Sequence, residues 1–354
     1  MARSAVLAVM LLVLWAMARP VPAADDFTYL RSLGDATDRD SAVVVDARAL
    51  ADCRARSLAG ARCLPADGLL GPQRRLPSAR DLLWLLGAAG LSGSETVIVV
   101  GQDATSRDFV AGLLYLAGQR QVRILAEPVA RVLGAGVAAA PGRERGMVRE
   151  TVFEAPMRDG LWVLRDELRD ELRDALRSAH PAPALLDGRV DDEYWGETAR
   201  AQRTGHLPGA ISLPAARLRA ALLAGPERRP VLPQGPVVAY AHDAFEGLAY
   251  LALLTAGHGV AARVYPEGWA EWAADGTLPA DAVGYPERGT PAVSAQAKAQ
   301  APATAGPAAV PTGSADARPG IAWPRAEALL ATALALGLAA FAGGWWLAGR
   351  RAAR

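Results

Sequence analysis

The chain has 354 residues, a formal net charge of +1 and 51% hydrophobic residues. Its length allows two domains of ordinary size, and a charge so close to zero gives no electrostatic reason to expect nucleic acid as a partner. The hydrophobic content is raised by apolar segments at both ends, and the composition otherwise fits a soluble α/β core.

The N-terminal segment, residues 1–24, has the pattern of a secretory signal peptide. Arg3 precedes an unbroken apolar stretch from Ala5 to Met17, and Val21-Pro22-Ala23 offers small residues for cleavage. The apolar stretch is shorter than the ~20 residues that a membrane-spanning helix needs. An uncleaved N-terminal anchor remains the alternative. We therefore expect the folded part of the chain to be exported.

Two divergent copies of one unit follow, at residues 27–135 and 151–283, with a linker rich in Gly, Ala and Pro at 136–150. In each copy a short apolar strand ends in Asp-x-Arg, and a later buried strand (97–100 or 237–240) leads into a loop and an apolar helix. Near-continuous apolar strands that alternate with helices indicate a parallel sheet covered on both faces. The helical patterns lie at Leu82–Leu86, Phe109–Leu116, Arg217–Leu223 and Gly247–Leu254.

One further helix is predicted near the start of the second copy, where leucines recur every four residues and Asp and Arg alternate at i,i+3 spacing. The pattern indicates an amphipathic helix that docks on the second domain. A partner-binding coiled coil is the alternative, but a spacing of four drifts around a helix faster than a heptad allows. The leucines are Leu164, Leu168, Leu172 and Leu176.

The C-terminal part carries the pattern of a tether and a membrane anchor. Residues 284–324 are rich in Ala, Pro, Gly, Ser and Thr and contain few bulky apolar side chains, as in a disordered linker. Residues 328–348 contain no charge and are long enough to span a bilayer, and the basic tail 349–354 favours the cytoplasmic side. We expect a single-pass protein of the cell membrane whose body is extracytoplasmic (periplasmic).

The sequence allows two interpretations of the only two cysteines, Cys53 and Cys63. In an oxidising exported compartment they could form a disulfide. They could equally be two small buried hydrophobic side chains, because sequence spacing alone does not fix their geometry.

Several short strings in the second copy resemble the rhodanese family, specifically the tandem-domain thiosulfate and mercaptopyruvate sulfurtransferases. The resemblance covers roughly residues 27–280 and implies two rhodanese-like domains, each a five-stranded parallel sheet with helices on both faces. The strings, in family order, are Asp187-Gly188-Arg189, Asp192-Glu193-Tyr194-Trp195, Gly205-His206-Leu207-Pro208-Gly209-Ala210 and Pro266-Glu267-Gly268-Trp269-Ala270-Glu271-Trp272.

The reactive cysteine of that family is missing from this sequence. Active members carry Cys-x-x-Gly-x-Arg directly after the strand of the second domain. Here the Cys, Gly and Arg positions fall on Ala241, Ala244 and Glu246, and the corresponding loop of the first domain begins at Gly101. The resemblance therefore implies no catalytic residue and a degenerate active-site loop at 240–247. Its candidate binding residues are Tyr240, Ala241, His242, Asp243, Ala244, Phe245 and Glu246.

Sulfur transfer needs a thiolate that attacks a sulfane sulfur and carries it as a persulfide, and an alanine methyl group can do neither. Asp243 and Glu246 also place two carboxylates where a basic side chain would assist an anionic substrate. Two unit charges about 4 Å apart interact by roughly 4 kcal/mol at an effective dielectric of about 20. The loop is therefore expected to prefer a cationic or neutral ligand.

Other polar residues are given structural roles. Asp46 with Arg48, and Asp187 with Arg189, are expected to form buried pairs that hold loops at the carboxyl edge of each sheet, and His206 has a structural place before Pro208. His242 and Asp243 could act as a base and its orienting carboxylate, but a cap for the next helix is the simpler interpretation. No metal and no cofactor are predicted.

The leading hypothesis is a membrane-anchored, non-catalytic rhodanese-like protein that acts as a binding or scaffold module with a link to sulfur metabolism. Its partners would be the membrane, through the C-terminal helix, and an extracytoplasmic protein. A sulfurtransferase with residual activity that uses Cys53 or Cys63 is the alternative from the enzyme class. A purely structural tether is the third possibility.

Overall fold

The computed structural model describes residues 26–281, except residues 38, 40 and 178–181. These residues lie within one compact unit. We refer to residues 26–150 as the first half and to residues 151–281 as the second half. The predicted signal peptide, the tether and the membrane span at 328–348 lie outside the described residues. Within the described residues, no helix is both long enough and apolar enough to cross a bilayer.

The first half is built on a sheet of six parallel strands in the order β1-β6-β5-β2-β4-β8. Its central strands consist almost wholly of β-branched residues buried by helices on both faces, as the apolar runs predicted. The strands are β1 (Phe27–Leu30), β2 (Val43–Asp46), β4 (Arg62–Cys63), β5 (Thr96–Val100), β6 (Gln121–Leu125) and β8 (Arg143–Glu144), and a separate antiparallel pair joins β3 (Ser57–Leu58) to β7 (Ala139–Ala140).

The second half is built on a sheet of four parallel strands in the order β10-β9-β11-β12. Trp162 adds a single parallel bridge to Val264 beyond β12, at the place where a fifth strand would lie. The expectation of five strands in each sheet is therefore wrong: a two-residue edge strand extends the first sheet, and a single bridge ends the second. The strands are β9 (Ala184–Asp187), β10 (Ile211–Ser212), β11 (Val237–Tyr240) and β12 (Ala262–Val264).

The predicted helices are present, and short polar side chains begin several of them. Asp103 and Asp243 accept a hydrogen bond from the backbone N–H three residues ahead, which satisfies one donor of the first helical turn. The helices are α1 (Leu50–Ala55), α2 (Ala79–Ala88), α3 (Ala104–Ala117), α4 (Val129–Gly134), α5 (Arg165–Arg177), α6 (Asp191–Tyr194), α7 (Ala215–Ala224), α8 (Ala244–Ala252) and α9 (Gly268–Ala274), and a π-helical turn at Leu253–Gly257 extends α8.

Helices α3 and α8 pack closely and join the two halves. A Cβ atom on Gly112 would lie 2.3 Å from the carbonyl oxygen of Leu248, so only glycine allows this approach. The rings of Phe109 and Phe245 lie 5.0 Å apart at the same contact. The largest hydrophobic cluster accordingly contains buried side chains of both sheets. The two halves share one core because the helices that follow equivalent strands bury each other.

Two segments differ from the sequence expectation. The predicted linker at 136–150 contains β7 and β8 and pairs with the first half. In α5, Leu168 is fully buried and Leu172 packs against the core, whereas the side chains of Leu164 and Leu176 are 56% and 90% exposed. The helix therefore docks through its middle turns, because a spacing of four rotates the outer leucines off the buried face.

Candidate functional site

The degenerate loop follows β11 at the carboxyl edge of the second sheet. All four residues of β11 are buried, and Ala241, the first residue after the strand, is only 2% exposed. The resemblance places the nucleophile of active relatives at this position. The side chain here is a methyl group at the inner end of a crevice, and it offers no acceptor, donor or leaving group.

The start of α9 fixes the backbone of this loop. The carbonyl oxygens of Ala241 and His242 accept hydrogen bonds from the N–H groups of Trp269 and Ala270, both at 2.9 Å. Gly268 has a φ of +58°, and a Cβ atom there would lie 2.3 Å from the carbonyl oxygen of Ala241. The glycine is therefore required both by the left-handed backbone and by the close approach of the loop.

A crevice of about 590 Å³ opens in front of Ala241, and both halves line it. The first half contributes Asp103, at the end of the loop after β5 that corresponds to the degenerate loop, and Thr105, in the first turn of α3. Most of the other walls come from the Asp-x-Arg turn, α7 and α8. The complete lining is Asp103, Thr105, Gly188, Arg189, Val190, Glu193, Arg200, Pro214, Ala215, Ala216, Arg219, Ala241, Phe245, Glu246 and Ala249.

Arg200 neutralises much of the acidic charge at the crevice. Its guanidinium donates two hydrogen bonds to Glu246, at 2.7 and 3.0 Å, and its Nε lies 2.9 Å from Glu193 Oε1. The hydrogen bond to Glu246 is the largest cause that raises the pKa of Arg200 above its usual value. The lining contains three arginines and three carboxylates, so basic side chains balance the acidic ones in the crevice. The preference of the loop for a cationic or neutral ligand stays a prediction.

Asp243 is held by a contact from the first half. Its Oδ1 accepts a hydrogen bond from the N–H of Glu246 (3.0 Å) and caps α8, while its Oδ2 lies 2.7 Å from Arg74 Nε. The Arg74 guanidinium also lies 4.5 Å from the ring centre of Phe245. Asp243 is therefore a helix cap and an ion-pair partner.

Arg75 makes a second contact of the same kind, and we call Arg74 and Arg75 the clasp. Arg75 Nη2 donates a hydrogen bond to Glu271 Oε1 (3.0 Å), and its Nε lies 3.7 Å from Glu267. Gln73 and Arg74 both have a φ of +58°, a conformation that costs a non-glycine residue roughly 1–2 kcal/mol. Contacts of the clasp with the second half offset this strain.

His242 is half-buried beside the same charges. Its Nδ1 has no hydrogen-bond partner among the described residues, and the nearest carboxylate oxygen of Glu193 lies 3.8 Å away. Burial, followed by the charge of Arg200, lowers the pKa of His242 below 6.5, although nearby carboxylates oppose the shift. Because Nδ1 makes no hydrogen bond to Asp243 in the described residues, His242 and Asp243 lack the contact that a base and its orienting carboxylate require.

The Asp-x-Arg turns of the two halves have matching geometry. Arg189 donates to both carboxylate oxygens of Asp187 and to the carbonyl of Gly205, with all three groups buried. Arg48 Nη2 lies 2.7 Å from Asp46 Oδ2, and Asp46 also accepts a hydrogen bond from Ser57 (2.6 Å). These pairs hold the turns that form the crevice wall and the corresponding wall in the first half.

His206 lies away from the crevice, packed on Tyr194. Its ring stacks on that of Tyr194 with centres 3.7 Å apart, and its Nδ1 lies 2.9 Å from the Tyr194 carbonyl oxygen. No group of three or more His, Cys, Asp or Glu side chains with metal-binding geometry occurs in the described part of the chain. His206 therefore serves packing in this structure.

A buried charge network closes the crevice at the junction of the halves. Arg219 of α7 donates a hydrogen bond to Asp108 of α3 (3.0 Å), and Arg107 donates to the other oxygen of the same carboxylate (2.8 Å). Burial, together with the Asp108 charge, raises the pKa of the neighbouring Tyr29 well above its usual value. The network supplies more positive than negative charge, which contributes to the mixed character of the crevice.

The two cysteines form a disulfide in the first half. Both are fully buried, and a Cβ atom on Gly142 would lie 2.4 Å from the sulfur of Cys53 and 2.7 Å from that of Cys63. Since the chain contains only these two cysteines and neither is free, no thiol is available at the crevice.

Several residues of this site carried no sequence signal. Arg200 and Glu246 are 46 residues apart, and Arg74 and Asp243 are 169 residues apart. Arg219 and Thr105 look like ordinary surface residues of a helix and of a helical first turn. Neither periodicity nor a local motif pairs residues at such separations; only the assembled halves do.

Comparison with known proteins agrees with this geometry. Residues 168–275 match the family model of the rhodanese-like domain, and no curated protein sequence matches the chain significantly. A probable thiosulfate sulfurtransferase is similar in structure, with a TM-score of 0.50, 25% identity, and coverage of 68% of this chain and 98% of that chain.

Two related structures share the fold at lower identity. The anaerobic ergothioneine biosynthesis enzyme from Chlorobium limicola, in complex with trimethyl histidine, has a TM-score of 0.55 and 20% identity over 77% of this chain and 68% of that chain. A variant of EanB in complex with hercynine has a TM-score of 0.56 and 20% identity, and this chain covers 65% of its length. Residues 168–275 therefore resemble a rhodanese-like domain, and the chain shares an α/β fold with a probable thiosulfate sulfurtransferase.

Proposed function

We propose that this protein is a non-catalytic tandem rhodanese-like protein, exported and anchored in the membrane, whose crevice at Ala241 serves as a binding site. One observation supports the proposal above all others. The inner end of the crevice carries the methyl group of Ala241, while both sulfur atoms of the chain's cysteines are locked in a disulfide of the first half. Persulfide chemistry has no carrier in this arrangement.

The crevice itself retains the features of a binding site. It is concave, it is lined by apolar side chains such as Phe245 and Ala249, and it presents a few fixed polar groups from both halves. Arg200 balances Glu193 and Glu246, so a small ligand or a partner side chain that carries both polar and apolar groups fits better than a simple cation. At the level of the family, we assign the function to sulfur metabolism. The protein would bind a ligand or partner there without converting a substrate.

Membrane anchoring and export rest on the sequence of the two ends, residues 1–24 and 328–354. A disulfide in the folded part fits an oxidising exported compartment. With such an anchor and a long tether, the folded halves would reach partners near the outer face of the membrane.

The alternative, a sulfurtransferase with residual activity, is favoured by the likeness to a probable thiosulfate sulfurtransferase. It would require reduction of the disulfide and movement of Cys53 or Cys63 to a substrate. Both are buried behind Gly142, and neither belongs to the lining of the crevice. The geometry therefore favours the binding role.

The experiment that separates these functions is thiocyanate formation from cyanide, with thiosulfate or 3-mercaptopyruvate as the sulfur donor. The purified full chain is assayed with and without reductant, beside a Cys53→Ser/Cys63→Ser variant. We expect the two proteins to give the same background rate. Turnover by the wild-type chain that disappears in the variant would establish the sulfurtransferase and overturn the binding role.

A further inference from the structure

A second concave surface lies on the first half, far from the nucleophile position in sequence. Ten large apolar side chains are exposed in the described residues, and four of them fall on α2 and the segment that packs against it. Single exposed apolar side chains are ordinary, whereas grouped ones mark interaction sites; of these four, Trp84 lines the groove described next. The four are Trp84, Met147, Val148 and Val152, with 40%, 92%, 74% and 47% of their surface exposed.

The segment 146–153 is fixed to the end of α2, so the surface has a defined shape. Gly87 accepts backbone hydrogen bonds from Glu150 and Thr151, and Ala88 accepts one from Gly146. Between helix and segment lies a groove of about 540 Å³, which we call the α2 groove. Its lining is Arg80, Asp81, Leu83, Trp84, Arg149 and Phe153.

The α2 groove carries free positive charge. Arg80 and Arg149 make no ion pair and no side-chain hydrogen bond within residues 26–281 as described. Two of the nearby acids are already engaged: Asp81 accepts a hydrogen bond from the Ser78 hydroxyl at the start of α2 (2.7 Å), and Glu150 pairs with Arg62 and Arg143. Two unpaired guanidinium groups beside an exposed indole suit carboxylates next to an aromatic or aliphatic side chain.

The protein's own C-terminal part is a poor occupant on grounds of charge. Residues 282–354 contain seven Lys and Arg residues and three Asp and Glu residues, a net charge of 7 − 3 = +4. A lipid surface is also a poorer fit, because headgroups meet protruding side chains more readily than a concave groove. We propose that the α2 groove binds an acidic segment of a partner protein, with carboxylates on Arg80 and Arg149 and an apolar side chain against Trp84.

The test uses the full chain in a neutral detergent and a fluorescent peptide, Asp-Glu-Phe-Asp-Leu-Asp with blocked ends. Controls are a peptide in which Ser replaces Phe and Leu, and one in which Lys replaces every acid. The variants are Arg80→Glu/Arg149→Glu and Trp84→Ala, and the matched control is Arg131→Glu, an exposed arginine of α4. Thermal unfolding of each variant shows whether its fold is intact.

We expect saturable binding of the acidic apolar peptide that weakens as salt rises, since paired charges are screened. The double charge reversal should weaken binding by at least about tenfold, Trp84→Ala should weaken it less, and Arg131→Glu should leave it unchanged. Weaker binding by a groove variant that remains folded, with Arg131→Glu unaffected, supports the proposal; the second groove variant provides the test if the first one unfolds.

Two results would overturn it. The first is an absence of saturable peptide binding, or binding that Arg131→Glu and the groove variants reduce equally. The second is a lipid role, detected by vesicle flotation: a preference for phosphatidylglycerol over phosphatidylcholine that requires Arg80 and Arg149, without binding of the peptide. The α2 groove and the crevice at Ala241 share no lining residue. A negative result with the peptide would therefore leave the proposed function of the crevice unaffected.

Discussion

Arg200 and Glu246 form a two-point hydrogen-bonded ion pair across the mouth of the crevice, with donor–acceptor distances of 2.7 and 3.0 Å. Glu246 occupies the place where active relatives carry the loop arginine. Arg200, a residue outside the loop, pairs with Glu246 and also contacts Glu193, so its positive charge offsets part of the negative charge of the two carboxylates.

This pair should couple measurably in a double-mutant cycle. Arg200→Ala, Glu246→Ala and the double variant are unfolded in urea, and the coupling free energy is obtained from the three differences to wild type. We expect a coupling free energy of roughly 0.2–1 kcal/mol, because both side chains are partly exposed and water competes for them. Strictly additive effects would show that the pair does not form in solution.

The clasp should stabilise the junction of the halves. Arg74→Ala removes the ion pair with Asp243 and the contact with the Phe245 ring, so we expect the free energy of unfolding to fall by about 1 kcal/mol. Arg131→Ala, at an exposed arginine that makes no such contact, is the control and should change little. Equal effects of the two substitutions would argue against the clasp.

The backbone of the clasp gives a separate prediction at Gln73. Its φ of +58° suits glycine and disfavours a β-branched side chain. Gln73→Gly should therefore leave the free energy of unfolding unchanged or slightly raised, and Gln73→Val should lower it by roughly 1–2 kcal/mol. Chemical denaturation gives the free energy of unfolding of both variants. A glycine variant as unstable as the valine variant would contradict the strained conformation at Gln73.

The disulfide should make a large contribution for its size. Loop-closure entropy for a bridge between positions 10 residues apart gives a stabilisation of roughly 2–3 kcal/mol. Reduction, or Cys53→Ser/Cys63→Ser, should lower the urea midpoint accordingly. Gly142→Ala should also destabilise, because the added Cβ atom meets both sulfur atoms, whereas Gly134→Ala has open space around it and serves as the control.

His242 should make the protein less stable in mild acid. Its pKa is lowered in the folded protein, chiefly by burial, so the unfolded chain binds a proton more readily. The contribution of neutral His242 to the free energy of unfolding is fully present above the ordinary pKa of 6.5. It is lost as the pH falls through the lower pKa that His242 has in the folded protein. His242→Gln should therefore show a smaller loss of unfolding free energy between pH 7.5 and pH 5.5 than wild type; an unchanged pH dependence would contradict this account.

The sequence predicted those parts of the fold that depend on local pattern. Apolar strands such as 237–240 and the capped helices that follow them appear where their residues indicated, because strand burial and helix capping act over a few positions. The sequence did not predict the two-residue strands β8 and β10 or the single bridge at Trp162. Their pairing is decided by neighbours that are distant in the chain.

The sequence singled out the loop at 241–246 as a candidate site but did not predict the basic side chains around it. The order of the motifs along the chain is what aligns Ala241 with the nucleophile position of the family that the sequence resembles. The repulsion expected from Asp243 and Glu246 is offset by Arg74 and Arg200, which reach the loop only after the halves have packed. Long arginine side chains allow such compensation from many backbone positions, so no local spacing reveals it.

Intact-mass analysis after incubation with thiosulfate tests the absence of a sulfur carrier most directly. The full chain is treated without reductant and after disulfide reduction, in parallel with Ala241→Cys, which restores a thiol at the inner end of the crevice. Transfer of the sulfane sulfur to a thiolate releases sulfite and adds the mass of one sulfur atom to the protein. We predict that the wild-type chain gains no sulfur in either state; a wild-type chain that gains one sulfur atom and passes it to cyanide would contradict the account.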